Sequence, residues 1–322
     1  MPRGKSGYIL LTGSAHPTLA SAIAKILKTK VYNPVSKFAN GETRVRIPIN
    51  LRKREVFIIQ PTSSPSTDEY IIELLLMLDA AHRASASRVT AIIPYFGYSR
   101  QDRKEGPRVP ISAALVSGLI EYSGADTILS IDLHSEPQQG FIKCPVDNLF
   151  ASFSFISKIK AMHLKNLVIA SPDKGGVPRA TAYANFLKAE GLAIVYKERD
   201  VKLNDNANNT QALDMIGDVR GKTVLIVDDM IDTGGSLVAA ANLIKQRGAK
   251  KILACATHGL FSGPALERIQ ASEIEQVLVT DTIAPTEAVT AHKKIKVVSV
   301  APLLAEAIRR LYLGESLSEL FL

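Results

Sequence analysis

Residues 227–236, VDDMIDTGGS, follow the apolar run 223–227 and precede LVAAANLI (237–244), a stretch of strong helix formers. A strand, a glycine-rich turn and a helix beginning near Ser236 would place the N–H groups of Thr233, Gly234, Gly235 and Ser236 at a helix N-terminus. Anions are favoured there. The paired glycines let a ligand approach the backbone closely. Asp228, Asp229 and Asp232 would repel a phosphate, yet carboxylates accept hydrogen bonds from sugar hydroxyls and can help to hold the hydration shell of Mg2+. An acidic turn with an Asp or Ser N-cap is the plainer alternative. Two acids, a third three residues on, and then Thr-Gly-Gly-Ser favour a ligand carrying both hydroxyls and a phosphate, such as ribose 5-phosphate.

The strand–loop–helix unit recurs along the whole chain. Apolar runs at 8–12, 56–60, 89–94, 127–132, 167–171, 193–196, 223–227, 252–257 and 276–280 alternate with helical patterns. That alternation predicts an α/β protein with mostly parallel sheets, whose ligand sites gather at the carboxyl ends of the strands. The halves also match each other. VFIIQPTSS, DEYIIELLLMLDAAHRA and VTAIIPYFGYS correspond to TVLIVDDMIDTGGS, LVAAANLIKQRGA and ILACATHGLFSG at a spacing of about 165 residues. GYILLTGSAHP pairs likewise with NLVIASPDKGG, and TILSIDLHS with QVLVTDTIA. Two tandem domains are expected, 1–150 and 151–302, with the tail 303–322 packing on the first.

A chain of 322 residues with 46% hydrophobic content is long enough for two cores. It has no apolar run near the roughly 20 residues of a membrane span and no leader-like start, so we expect a cytoplasmic protein with no membrane partner. Cys144 and Cys255 fit no metal-ligand spacing and read as buried free thiols. The net charge of +8 lacks the basic runs and interleaved aromatics of a nucleic-acid binder. Excess positive charge equally suits an enzyme that concentrates phosphorylated metabolites.

Other segments add cations and metal ligands. GYSRQDRK (97–104) follows a strand; Arg100 would neutralise a polyphosphate and Gln101 would read a base edge, unless the loop is merely solvated. DLH (132–134) puts His134 at a strand end, and SPDKGG (171–176) puts Asp173 beside a Gly-Gly turn. Taken alone, each has a bland structural reading.

The 227–236 loop resembles the signature of the type I phosphoribosyltransferase fold. In order along the chain, FANGE (38–42), GYSRQDRK, DLH, QGF (139–141), VDNL (146–149), SPDKGG, KER (197–199), VDDMIDTGGS, THGLFSGPA (257–265) and GESLSELF (314–321) resemble the ribose-phosphate pyrophosphokinase family. The resemblance implies transfer of the β,γ-diphosphoryl group of ATP to the C1 hydroxyl of ribose 5-phosphate, giving AMP and 5-phosphoribosyl 1-diphosphate. It implies adenine contacts from Phe38, Asn40, Gly41 and Glu42, and an ATP site completed by Arg100 and Gln101. His134 and Asp173 would hold Mg2+. Lys197 and Arg199 would be catalytic, and Asp228, Asp229 and Asp232 to Ser236 would take ribose 5-phosphate. A homo-oligomer is implied too, a hexamer built from dimers, with FANGE reaching a neighbouring subunit's ATP site.

Alternatives within the same resemblance are a non-catalytic regulatory subunit and a phosphoribosyltransferase. Retention of Lys197, Arg199, His134 and the Asp228 loop argues against the first, and FANGE and RQD against the second. Departures from the family pattern are a longer stretch between KER and GDV (217–219), Lys174 at a variable position, Gly106 where a basic residue is frequent, and Glu136 where a hydroxyl is expected. A carboxylate at 136 opposes anion binding, so weak or absent activation by phosphate is expected.

Overall fold

The computed structural model describes residues 7–104, 106–197 and 213–321, with the side chains of Lys197, Leu213 and Phe321 outside that description. It divides into two compact units. One comprises Met1–Phe153, Asp281–Ala284 and Ser299–Leu322, the other Ser154–Thr280 and Pro285–Val298.

In chain order the first unit contains β1 (Ile9–Thr12), α1 (Pro17–Ile26), β2 (Val31–Tyr32), β3 (Val35–Lys37), β4 (Thr43–Val45), β5 (Glu55–Ile59), α2 (Thr67–Arg83), β6 (Arg88–Ile93), α3 (Ser112–Tyr122), β7 (Thr127–Ile131) and β8 (Val146–Leu149). After α4 (Ser152–Lys160) the second unit follows with β9 (Leu167–Ser171), α5 (Val177–Leu187), β10 (Gly191–Lys197), β11 (Leu213–Ile216), β12 (Thr223–Ile231), α6 (Gly235–Gln246), β13 (Lys251–Gly259), α7 (Ala265–Ala271), β14 (Gln276–Thr280), α8 (Glu287–Ala291) and β15 (Ile295–Val298). The last α-helix, α9 (Ala301–Leu313), and a short 3-10 helix (Ser318–Phe321) after it belong to the first unit.

The first sheet has the order β2-β1-β5-β6-β7-β8, all parallel. The second has the order β11-β10-β9-β12-β13-β14-β15, parallel except for the β10–β11 pair. Removing β11 leaves two sheets of identical order, and the repeated segments occupy matching places. Their register agrees as well: Ile9 lies opposite Val56 in one sheet as Val168 lies opposite Val224 in the other.

The central strands are buried on both faces, which is why they read as unbroken apolar runs rather than alternating ones. Helices cover those faces by their apolar stripes. In α2 the buried residues Ile71, Leu74, Met77, Leu78 and Ala81 recur at helical spacing, with Asp68 and Glu69 in the first turn and His82 and Arg83 in the last, matching the helix dipole. In α9, Leu303, Leu304, Ala307 and Ile308 are buried, and Gly314 stops the helix in the left-handed conformation. Tyr312 then packs edge-on against Tyr8, with ring centroids 4.9 Å apart. Cys255 is buried and Cys144 only half-buried, and neither is in a disulfide. Among the described residues no helix is long and apolar enough to cross a membrane.

Candidate active site

The strand expected to stop at Val227 continues to Ile231. Its partner β13 pairs with it through Asp228 opposite Ala256, Met230 opposite His258 and Ile231 opposite Gly259. Cross-strand pairing overrides the poor strand propensity of two adjacent aspartates. The pleat then gives the two acids different surroundings. Asp228 is partly accessible, whereas Asp229 is buried, with its Oδ1 3.8 Å from Nη1 of Arg179 on α5. The Asp229 N–H donates to Asp228 Oδ1 at 2.9 Å.

Beyond the strand, the Asp232 carbonyl accepts from Ser262 N at 3.0 Å. Gly234, with φ of 73°, turns the chain into α6, and a Cβ there would lie 3.6 Å from the backbone of Ala265. Left-handed backbone favours glycine at this position. The N–H groups that open α6 follow directly, with Thr233, Gly235 and Ser236 exposed. Arg268 on α7 donates from Nη1 to the Thr233 carbonyl at 3.0 Å. In the turn after β9, Asp173 Oδ1 accepts from Gly176 N at 2.9 Å, and Ser171 Oγ donates to the Asp173 carbonyl at 2.7 Å. Lys197 is the last residue of β10, paired with Leu213. Just before it, the Tyr196 hydroxyl donates to Asp214 Oδ2 at 3.0 Å while Lys174 Nζ stands 5.6 Å over the Tyr196 ring. Arg199 and residues 200–212 lie outside the described residues.

In the first unit, FANGE is the tip of the β3–β4 hairpin. Phe38 N donates to the Glu42 carbonyl at 2.9 Å, Gly41 has φ of 89°, and the Asn40 side chain accepts from Glu42 N at 3.2 Å. Asn40 thus shapes the turn. The Phe38 ring is about half exposed, with the Arg44 guanidinium 5.4 Å from its centroid. Two neighbouring acids in the first turn of α2 anchor both segments: Glu69 pairs with Lys37 of the hairpin, and Asp68 accepts from the Tyr98 hydroxyl at 2.6 Å. The 97–104 loop is pinned further by Gly97, where a Cβ would lie 2.3 Å from the Thr62 carbonyl. Gln101 uses its side-chain oxygen to accept from Ser112, so a base would be read by its amide nitrogen. Ser135 donates to Asp102 at 2.5 Å, which brings the loop of Arg100 and Gln101 against that of His134 at the ends of β6 and β7.

Comparison with known proteins decides the family. The profile of the N-terminal domain of ribose phosphate pyrophosphokinase matches residues 8–124, and that of the phosphoribosyl synthetase-associated domain matches residues 204–322. The ribose-phosphate pyrophosphokinase of Wolinella succinogenes is 47% identical over 316 residues, covering 98% of this chain and 99% of its own. That of Campylobacter jejuni is 46% identical over 317 residues, with the same coverage. The chain belongs to the ribose-phosphate pyrophosphokinase family. A crystal structure of phosphoribosylpyrophosphate synthetase from Mycobacterium smegmatis superposes with a TM-score of 0.88 at 39% identity, over 96% of this chain and 99% of that one.

Within this family fold the two repeats differ at one telling place. The shared register sets Ser14 where the second repeat has Asp173, and Gln60 where it has Asp228. Glu73 of α2 fills the corresponding space: it is buried, and accepts from Ser14 N at 2.9 Å, Ser14 Oγ at 2.6 Å and Gln60 Nε2 at 2.8 Å. An internal carboxyl group from α2 sits where the second repeat has Asp173 and Asp228. Arg44, Arg179, Arg268 and Glu73 all escape a sequence reading, because three of them arrive from helices distant in sequence. Asn40-Gly41 is a hairpin signal that would have marked the turn Arg44 flanks.

Among the described residues no cluster of three or more His, Cys, Asp or Glu side chains is assembled for a metal ion. Mg2+ commonly takes only one or two protein ligands and keeps the rest of its shell as water and phosphate oxygens, so a single carboxylate such as that of Asp173 is a donor of the right kind.

Although part of Asp228 stays accessible, protein atoms crowd its carboxyl and strip hydration from it, and this desolvation, followed by the neighbouring carboxyl of Asp229, pushes it well above the usual carboxylate range, while Arg179 draws it back in part. The folded, ligand-free chain therefore holds this proton to higher pH than the unfolded chain. Stability present at low pH is lost as pH rises from the ordinary carboxylate range through the raised value. Asp228→Asn is expected to raise the melting temperature of the ligand-free protein by about 2–4 °C near pH 8, with less gain near pH 5, while lowering kcat/KM at least about tenfold. Thermal melts at both pH values check the sign; a fall at both contradicts it.

Proposed function

We propose that this chain transfers the β,γ-diphosphoryl group of ATP, with Mg2+, to the C1 hydroxyl of ribose 5-phosphate, giving 5-phosphoribosyl 1-diphosphate and AMP. The observation that carries this reading is full-length similarity to ribose-phosphate pyrophosphokinases combined with an acid pair followed by an open helix N-terminus in the second unit. Asp228 and Asp229 serve the ribose side. Asp232, Thr233, Gly234, Gly235 and Ser236 seat the 5-phosphate. Phe38, Asn40, Gly41, Glu42, Arg100 and Gln101 serve ATP, with the exposed Phe38 ring offering a stacking face for adenine.

His134 and Asp173 would ligate Mg2+, which when bound neutralises the diphosphoryl oxygens. Lys197 and Arg199 add charge that counts most in the transition state. No protein nucleophile is needed, since the C1 hydroxyl attacks the β-phosphorus directly and in line. The enzyme acts in the cytoplasm as a homo-oligomer, a hexamer in this reading, whose mass sedimentation would measure.

Incubation of the pure protein with ribose 5-phosphate, ATP and Mg2+ tests the reaction. AMP is the expected nucleotide product; ADP would mean ordinary phosphoryl transfer and overturn the reading. Regulation follows from Glu136, which lines a cavity of about 230 Å³ with Gln139, Val146, Asn148 and Phe150. Because a carboxylate there opposes an anion, added phosphate at fixed free Mg2+ should change the rate less than about twofold, and Glu136→Ser should increase that response. Strong activation of the unaltered protein would contradict this.

A further inference from the structure

We propose that Arg268 is the residue that makes the sugar site specific for a phosphorylated pentose, by setting a guanidinium at the edge of the 233–236 loop. The inference rests on the ribose 5-phosphate reading and extends it. The loop and the strand before it present Asp228, Asp229 and Asp232 and no cationic side chain of their own. Backbone N–H groups at a helix N-terminus amount to about half a unit of positive charge, against roughly two negative charges on a phosphate monoester above its second pKa. A further cation is wanted on electrostatic grounds. Arg179 is already committed beside Asp229.

Arg268 stands where that cation is needed. Its Nη1 is 3.0 Å from the Thr233 carbonyl oxygen and 3.6 Å from the position a Cβ on Gly235 would take. The first contact offsets the negative end of a loop carbonyl that would otherwise repel an anion. The second places the guanidinium within one residue's breadth of the exposed start of α6. A guanidinium carries five donors in a planar fork, so one bond to Thr233 leaves others able to meet phosphate oxygens.

The short helix α7 that carries this side chain is itself held in place. Ala265 and Ile269 are buried, and Ala265 backs Gly234. Lys294 Nζ donates to the carbonyls of Ile269 and Ser272 at 3.2 and 2.8 Å, and His292 Nε2 lies 3.2 Å from the Leu266 carbonyl. A cation on such a braced element loses little freedom when the anion arrives.

Two readouts on Arg268→Gln and Arg268→Lys test the proposal. By steady-state kinetics, Arg268→Gln should raise KM for ribose 5-phosphate about 10–50-fold, with KM for ATP and kcat within about threefold, and Arg268→Lys should recover part of the loss. By calorimetry without ATP, the Kd for ribose 5-phosphate should rise comparably. The penalty should grow between about pH 5 and pH 7 as the phosphate loses its second proton. A residue that merely braces the loop would show no such pH dependence and would lower kcat or the melting temperature instead. Unchanged KM and Kd, or a penalty independent of phosphate charge, overturns the role of Arg268. If the unaltered protein yields no AMP but binds ribose 5-phosphate in an Arg268-dependent way, the proposed reaction fails and this inference stands.

Discussion

Replacing Lys197 by alanine is expected to lower kcat by about a thousandfold, with KM for ATP and for ribose 5-phosphate each moving less than about threefold. When the C1 hydroxyl attacks the β-phosphorus, charge builds on the diphosphoryl oxygens and on the departing α-phosphate. A cation aimed at that developing charge stabilises the transition state more than the bound substrates, which is the condition for acting on kcat. The fold fixes where this residue's backbone stands. Strand β10 is parallel to β9 from Gly191 opposite Val168 to Ile194 opposite Ser171, and its last pair with β11 sets Lys197 against Leu213. One residue earlier, Tyr196 is tied to Asp214, which also accepts from Arg247 at 2.5 Å. Rapid-quench measurement of AMP in a single turnover separates the chemical step from product release. Full rate in Lys197→Ala would remove the residue from the catalytic assignment and leave the overall reaction untouched. Lys197→Arg should fall between the two, because it keeps the charge and moves it.

Much of the fold was legible because its central strands are buried on both faces and so appear as apolar runs, each ending in a polar loop. The duplication was legible for the same reason, and the matched registers around Val56 and Val224 bear it out. Short edge elements were not legible. Two-residue β2 is too short for any period to emerge, β8 and β15 are only half-buried at sheet edges and so lack an unbroken apolar run, and β3–β4 takes its form from a turn. The end of β12 misled because Asp228 and Asp229 look like a loop by composition, while β13 holds them in a ladder. In the candidate site, the acids and glycines lie contiguous in sequence, so the pattern showed them. The cations that answer them come from α5 and α7, and nothing local in Arg179 or Arg268 marks either one. Only tertiary placement gives those arginines meaning.

Glu73→Ala is expected to destabilise the protein by about 3 kcal/mol, the cost of leaving several buried donors without an acceptor. Glu73 is 1% exposed and joins three segments: α2, which carries it; the loop after β1 through Ser14; and the end of β5 through Gln60. Gln60 cannot readily swing away to find another partner, since its side-chain oxygen accepts from Ala15 N at 3.3 Å and its amide nitrogen also donates to the Tyr70 carbonyl at 3.3 Å. Gly13 packs so tightly on Gln60 that a Cβ would lie 2.4 Å from its oxygen. Glu73→Gln keeps the volume and can leave its oxygen on the Ser14 N–H and Gln60 amide while its N–H₂ donates to the Ser14 hydroxyl, so only the charge assistance is lost and a smaller cost of about 1 kcal/mol is expected. Urea unfolding measures both, and midpoints equal to that of the unaltered protein would contradict the account. The functional arm of the experiment is sharper. If Glu73 closes the first repeat's copy of the site while the second repeat binds the sugar, either variant should keep its KM for ribose 5-phosphate within about twofold below its own melting range. A stability loss with unchanged sugar affinity assigns Glu73 to holding the first repeat shut, whereas a raised KM would place it in the path of the substrate.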